Sequence, residues 1–299
     1  MGICNRILCP IDLSDQSRRA LDYAIGMGRH YGASLTALYV IPPPVPIMPS
    51  LDSPAYPGYV YTAEDLAAIE CQVQTFVDAG RAGLNIESRV VEGYVVGQIL
   101  DVAASEAADL IVVGTHGRGG FQRLMLGSVA ERVLARSSCP VMAIPPHMAD
   151  SAPAGLAPFA KVLCGIDYTP SSEKALDYAT WFTRESAGQL TLVHVVEVPD
   201  GEAAIVAGIR GLIDENVFVT AARGRLHAFL PPGLSQRNVG FEVVKTGKAY
   251  RGILDVAHER HCDLIVLGAH GDLTHALGLG STTNHVLREA SCPVLTVRA

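Results

Sequence analysis

Hydrophobic positions in the first half of the chain are concentrated in five short segments, at residues 7–11, 35–40, 86–91, 110–113 and 141–144, and all but the third are nearly continuous. Continuous apolar runs of this length are typical of parallel strands that are buried on both faces. Longer segments with helical periodicity lie between them, and they predict helices over residues 14–31, 63–81, 95–107 and 128–135. Strands that alternate with helices indicate a doubly wound α/β domain.

The same pattern occurs twice in the chain. Three motifs recur in order, with Ala-Leu-Asp-Tyr-Ala at 20–24 and 175–179, Asp-Leu-Ile-Val at 109–112 and 263–266, and Ser-Cys-Pro-Val at 138–141 and 291–294. Matching apolar runs in the second copy lie at residues 162–166, 190–196, 241–244, 264–267 and 294–297. Repeats this long are domain-sized rather than solenoid units. We therefore expect two tandem domains, each with a five-stranded parallel sheet and helices on both faces. For each sheet we take the strand order 3-2-1-4-5.

The predicted domains span residues 1–147 and 158–299. Between them, residues 148–157 form a linker rich in Pro and Ala. A second Pro-rich segment, at 42–57, interrupts the first copy after its second strand and is predicted to be an irregular loop near one end of the sheet.

Composition and charge narrow the class of protein. Hydrophobic residues make up 49% and charged residues 18% of the chain, which is an ordinary globular mixture and excludes wholesale disorder. The net charge of −7 gives no basic footprint for nucleic acid. No apolar run is long enough for a membrane helix, the N-terminus lacks a signal-peptide layout, and the seven cysteines contain no Cys-x-x-Cys. We expect a soluble cytoplasmic protein.

One crevice of the first copy carries residues suited to an anion. In the predicted strand order, strands 1 and 4 are neighbours, and ligands of such sheets bind where the winding direction reverses. Asp12 ends strand 1, Gly114 and Gly117 follow strand 4, and Gly127-Ser128 opens the next helix. Glycine amides and a helix N-terminus favour phosphate.

The same residues also allow simpler interpretations. Glycines in such loops are often only turn residues. Asp12 is placed either to accept hydrogen bonds from a ribose or adenine or to help cap the following helix, for which Ser14 and Asp15 are the cap candidates. The sequence leaves these alternatives open.

These motifs resemble those of the universal stress protein family, in its tandem two-domain form. The family's ATP-binding subgroup carries Gly-x-x-Gly, nine residues, then Gly-Ser or Gly-Thr, and the first copy matches this pattern in full. The resemblance implies ATP as the ligand, with or without Mg²⁺. It implies phosphate and ribose contacts from Gly114, Gly117, Gly127 and Ser128, adenosine contacts from Asp12 and Val40, and a helix start continued by Val129.

The second copy departs from that pattern. Gly268 and Gly271 are followed by only eight residues before Gly280-Ser281, and Asp272 stands where the first copy has Arg118. Asp167 and Val195 match the positions that the family implies for the nucleoside. A shortened loop with an added acid predicts a weaker second site, and hence one strong site per chain.

Histidines offer two further candidates, which we interpret mainly as structural. His116 and His270 lie in the two glycine loops without a partner at metal-ligand spacing. His258 and His261 lie three residues apart beside Cys262, and either a metal site or a solvated helix face fits that spacing. The sequence predicts no metal site.

Enzyme motifs do not appear in the chain. It lacks a Walker phosphate loop, His-Glu-x-x-His and Gly-x-Ser-x-Gly, so we predict no catalytic residue. The Ser-Cys-Pro repeats, at 138–140 and 291–293, indicate turns into the last strands rather than reactive thiols.

Three functions follow as alternatives. The leading prediction is an ATP-binding stress protein whose nucleotide occupancy changes its conformation or assembly, as a sensor or regulator. A slow ATPase or adenylate-using enzyme and a nucleotide-free interaction module remain open. The resemblance also implies pairing through the last strands, 141–144 with 294–297, as an internal pseudo-dimer, and it leaves a homodimer of whole chains open.

Overall fold

A computed structural model describes residues 4–43, 61–80, 84–115, 126–146, 159–196, 215–229, 239–269 and 279–299. Within them the strands are β1 (Arg6–Ile11), β2 (Ser34–Ile41), β3 (Ile86–Glu92), β4 (Leu110–Gly114), β5 (Val141–Ile144), β6 (Lys161–Gly165), β7 (Gln189–Val196), β8 (Val239–Thr246), β9 (Leu264–Gly268) and β10 (Val294–Val297). The helices are α1 (Asp15–Tyr31), α2 (Ala63–Asp78), α3 (Val95–Ser105), α4 (Ser128–Arg136), α5 (Pro170–Glu185), α6 (Glu215–Ala228), α7 (Ala249–Glu259) and α8 (Ser281–Glu289).

The strands form one sheet in the order β3-β2-β1-β4-β5-β10-β9-β6-β7-β8. Each half has the predicted order 3-2-1-4-5, and its strands are parallel, which confirms the predicted fold of both copies. The halves meet where β5 and β10 pair in antiparallel fashion, with Leu295 opposite Met142. This confirms the predicted pairing of the last strands within the chain.

Helices cover both faces of the sheet. Side chains alternate along β1, so Ile7 and Cys9 enter one hydrophobic cluster while Leu8 enters the other. The first cluster is completed by residues of α1, α2, α5 and α6, and the second by residues of α3, α4, α7 and α8. Both clusters contain residues of both halves, so the hydrophobic core continues across the seam.

Aromatic side chains join the halves on one face. The Tyr31 ring, at the end of α1, lies 4.9 Å from the Trp181 ring of α5. Phe182, which is 1% exposed, packs edge-on against Phe159 at 5.1 Å and lies 5.9 Å from Tyr31. Burial raises the pKa of the Tyr31 phenol, whose oxygen is buried without a hydrogen-bond partner. The seam is therefore held mainly by apolar and aromatic packing.

Several boundaries differ from the predictions. Helix α2 ends at Asp78 rather than near residue 81, because Ala79 and Gly80 form a tight turn in which the Gly80 amide donates to the Val77 carbonyl at 3.2 Å. Helix α3 ends at Ser105, two residues early, and is followed by Ala107 in a left-handed conformation. The predicted linker and nearly all of the Pro-rich segment lie outside the described residues.

Candidate functional site

The crevice of the first half is formed where β1 ends between its two neighbours. Ile11 is in register with Tyr39 of β2, so Asp12 and Val40 follow that pair side by side. On the other side, β1 pairs with β4, which ends at Gly114. The structure thus brings Asp12 and Gly114 to one end of the sheet, as predicted from the strand order, and it places Val40 beside Asp12.

Asp12 holds the turn between β1 and α1. One of its carboxylate oxygens accepts from the Ser14 amide at 3.0 Å and also from the Ser14 hydroxyl. Ser14 in turn is the cap of α1, accepting from the Ser17 amide at 3.2 Å, and Leu13 between them is left-handed with φ +64°. The cap is therefore Ser14 and not Asp15. A carboxylate accepts about four hydrogen bonds, so this role is compatible with a further one toward a ligand.

Backbone bonds close the base of the glycine loop. The buried Thr115 continues β4, and its amide donates to the Ile144 carbonyl at 3.1 Å. The Gly127 amide then donates to the Thr115 carbonyl at 2.7 Å. Gly114 and Gly127 therefore flank one closed base, although Gly117 and His116 lie outside the described residues.

The start of α4 faces this crevice. Gly127 is the cap residue, with φ −61° and ψ 137°, and as a glycine it has no side chain to bond the amides of the first turn. Intrahelical bonding begins with the Glu131 amide, which donates to the Gly127 carbonyl at 2.9 Å. The preceding amides, from the exposed Ser128 and the half-buried Val129 onward, form the positive end of the helix dipole. This geometry suits a phosphate.

The corresponding crevice of the second half is built differently. A Cβ atom on Gly268 would lie 2.7 Å from the Ser171 backbone, so this glycine is required where β9 approaches α5. The Ala269 carbonyl, which corresponds to that of Thr115, accepts from the Ser171 hydroxyl at 3.2 Å. Gly280, the cap of α8, has φ +67° and ψ 145°. The two glycine loops therefore end in different backbone conformations.

The turn with Asp167 repeats the turn with Asp12. The Asp167 carboxylate accepts from the Thr169 amide at 3.1 Å and from its hydroxyl at 2.6 Å, and Tyr168 is left-handed with φ +63°. The Tyr168 ring packs under the Arg225 guanidinium at 4.0 Å and beside His194 at 4.7 Å. This cluster was not predicted from the sequence, because its members lie in separate elements and form no sequence motif.

The remaining predicted residues have the following places. Val40 is buried at 8% exposure, and Val195 is half-buried in β7. Ser281 begins α8, and Gly271 and His270 lie outside the described residues. A residue that the sequence analysis missed in the first half is Tyr94, which follows β3 at the same edge of the sheet as Asp12.

The other reactive side chains do not form a second centre in the described ranges. His258 and His261 are exposed, with ring centres 6.4 Å apart, and no cluster of three or more His, Cys, Asp or Glu side chains suited to a metal occurs among the residues described. Burial raises the pKa of the Cys139 thiol, and it raises that of Cys292 to about 12. Both thiols are therefore protonated at neutral pH.

The fold and the crevice define a doubly wound α/β protein with a candidate anion site at its switch point. The chain belongs to the universal stress protein family, whose family model matches residues 4–145 and 158–298. Within the part of the chain that the structure describes, no helix has the length and apolar character needed to span a membrane.

Individual relatives match either one half or the whole chain. A universal stress protein of Mycolicibacterium smegmatis is 29% identical over 98% of this chain and 96% of its own length. Universal stress protein MJ0531 of Methanocaldococcus jannaschii is 34% identical over 48% of this chain and 83% of its own length. Among solved structures, a universal stress protein of Archaeoglobus fulgidus covers 99% of this chain and is itself covered to 97%, with a TM-score of 0.68 and 23% identity. These similarities support the tandem arrangement and the fold.

Proposed function

We propose that the chain binds an adenine nucleotide, ATP, in the crevice of its first half and acts in the cytoplasm as a nucleotide-dependent sensor or regulator. The observation that carries this proposal is the start of α4, where helix amides follow Gly127, a cap residue without a side chain, at a base closed by Thr115. Asp12 follows β1 at the same end of the sheet, and Val40 lies in β2, on the side of β1 away from β4. Neighbouring elements thus supply contacts for an anionic group and for a nucleoside.

Energetics require both parts of the ligand to be bound. A helix terminus contributes about 0.3–1 kcal/mol to an exposed anion, whereas micromolar affinity needs about −8.2 kcal/mol. Phosphate contacts at Gly114, Gly127 and Ser128 are therefore insufficient alone. Contacts from Asp12 and Val40 to the nucleoside supply the rest, and Mg²⁺ reduces the phosphate charge where it accompanies ATP.

The two halves differ in a way that favours a single strong site. The bond that closes the first loop, from Gly127 to the Thr115 carbonyl, is replaced in the second half by the bond from Ser171 to Ala269. We propose that the second site, with Asp167, Val195, Gly268, Gly271, Gly280 and Ser281, binds nucleotide more weakly.

Helix α1 connects the proposed nucleotide site to the seam between the two halves. Its N-terminal turn is bonded to Asp12 through Ser14, and its last residue, Tyr31, contacts Trp181 of the other half. The helix has 17 residues and spans about 25 Å. A ligand that moves the Asp12 turn therefore acts on the same rigid element that contacts the seam. Trp181 is the chain's only tryptophan, so its fluorescence reports this contact.

The test is a titration of the full chain with ATP, with and without Mg²⁺, followed by calorimetry and by Trp181 emission. Ser128→Ala and Ser281→Ala form a matched pair, since both serines begin a helix after the cap glycine. We expect binding to weaken in the first variant and to stay unchanged in the second. A wild-type chain that shows no ATP binding would overturn the proposal. Phosphate release that depends on Ser128 would favour a slow ATPase instead.

A further inference from the structure

We propose that Tyr94 is a base-recognition residue, whose ring stacks on the base of the nucleotide in the first half and makes that site prefer purines. This inference rests on the proposed function and deepens it. It concerns a side chain outside the glycine loop and outside the positions that match the ATP-binding pattern.

The position of Tyr94 places it beside the nucleoside end of the crevice. Strand β2 lies between β1 and β3, and Val40 is paired with Val91 of β3. The Gly93 amide donates to the Ile41 carbonyl at 2.9 Å, which fixes the first residue after β3 to the end of β2. Tyr94 follows directly. It thus stands roughly 10 Å, or two strand spacings, from the edge of β1 that carries Asp12.

The backbone around Tyr94 is fixed in advance. Gly93 has φ +145°, and a Cβ atom on it would lie 2.8 Å from the side-chain nitrogen Nε2 of Gln98. Tyr94 itself is the cap residue of α3, and its carbonyl accepts from the Gln98 backbone amide at 2.9 Å. An aromatic ring on a rigid backbone loses little entropy when it binds a flat ligand.

The ring of Tyr94 is open to solvent. Tyr94 is 82% exposed, and among the residues that the structure describes it is the one large hydrophobic residue that is exposed. Single exposed hydrophobic residues are common on protein surfaces, so exposure alone identifies no ligand. Tyr94 lies just beyond the carboxyl end of β3, the strand that pairs with β2 at Val40, so its exposed ring offers a flat aromatic face to a base at this end of the sheet.

The second half provides an internal comparison. Gly247 has φ +115°, and its amide donates to the Val196 carbonyl at 3.1 Å, so the turn after β8 repeats the turn after β3. Lys248 takes the place of Tyr94 as the exposed cap of α7. The backbone is kept and only the side chain changes, from an aromatic ring to an ammonium group. The second half therefore lacks this stacking surface, in agreement with a weaker second site.

Stacking on an aromatic side chain changes affinity by about 5-fold to 100-fold per base on alanine substitution. A purine presents a larger face than a pyrimidine, so the loss falls mainly on ATP. Inorganic tripolyphosphate has no base and is unaffected by the ring. These two ligands separate stacking from phosphate binding.

The experiment measures ATP, CTP and tripolyphosphate binding by calorimetry for the wild type and for Tyr94→Ala, Tyr94→Trp and Lys248→Ala. We expect Tyr94→Ala to weaken ATP by about 5-fold to 100-fold, to narrow the preference for ATP over CTP, and to leave tripolyphosphate unchanged. Tyr94→Trp should retain ATP affinity, and Lys248→Ala should leave it unaltered.

Two results would overturn this inference while leaving the proposed function intact. One is ATP binding of equal strength in the wild type and in Tyr94→Ala, and the other is an equal loss of ATP and tripolyphosphate affinity in that variant. A wild-type chain that binds no ATP refutes the proposed function itself, and the role of Tyr94 with it. Circular dichroism of each variant verifies that the exposed substitution leaves the fold unchanged.

Discussion

Replacing Gly127 or Gly280 by alanine should change the free energy of unfolding by different amounts, because these two cap glycines differ in backbone conformation. Gly127 has φ −61° and ψ 137°, which any residue adopts, whereas Gly280 has φ +67° and ψ 145°, a region almost restricted to glycine. No atom of the described residues lies within 4 Å of a Cβ on Gly280, so we attribute the cost there to backbone conformation, about 1–3 kcal/mol.

At Gly127 two small effects oppose each other. Alanine is the poorer cap residue, but it restricts the unfolded chain, and we expect a net change below about 1 kcal/mol. Urea denaturation followed by circular dichroism measures both variants. ATP calorimetry should show lower affinity in Gly127→Ala, because alanine adds a methyl group beside the amides proposed to bind phosphate, and unchanged affinity in Gly280→Ala, which lies in the other half. Equal stability losses in the two variants would refute the conformational reasoning, and unchanged ATP affinity in Gly127→Ala would refute the role of this backbone in phosphate binding.

Three further predictions concern the framework. Phe182→Ala should lower the free energy of unfolding by about 3–5 kcal/mol, since Phe182 is buried at the seam. Trp181 emission and circular dichroism should report the same lowered unfolding midpoint, and two different midpoints would contradict this prediction. Gly224→Ala, in an exposed turn of α6 where the structure describes no atom within 4 Å of the new methyl group, should stabilise the chain by about 0.5–1 kcal/mol in urea titrations. With a thiol reagent at neutral pH, the exposed Cys71 should react first, and Cys71→Ser should remove the fast phase of the reaction. Burial raises the pKa of the Cys262 thiol to about 11, so Cys262 should react slowly until the pH is strongly alkaline.

The hydrophobic pattern was sufficient to predict the sheet. Strands such as 7–11 and 110–113 are buried on both faces, and such strands are recognisable without knowledge of their neighbours. The duplicated motifs placed the second half by the same rule. Helix ends were less accurate, as at α2, because the turn at Gly80 depends on packing against Arg18 of α1 rather than on local preference.

The places of the proposed site residues in the fold were predictable from the sequence, but their backbone conformations were not. The pattern of residues identified the positions of Asp12, Gly114 and Gly127, yet it did not show that Asp12 bonds to Ser14. Nor did it separate Gly127 from Gly280, since identical residues differ in φ only through the loops that precede them. Contacts between distant elements carry no local periodicity, and the seam contact of Tyr31 with Trp181 was therefore missed.

The most direct test of the account is a native mass spectrum of the full chain titrated with ATP, together with Ser128→Ala and Ser281→Ala. We predict one tightly held ATP per wild-type chain, bound more weakly in Ser128→Ala and retained in Ser281→Ala. Two equivalent ATP molecules per chain, or none at ATP concentrations that saturate micromolar sites, would contradict it.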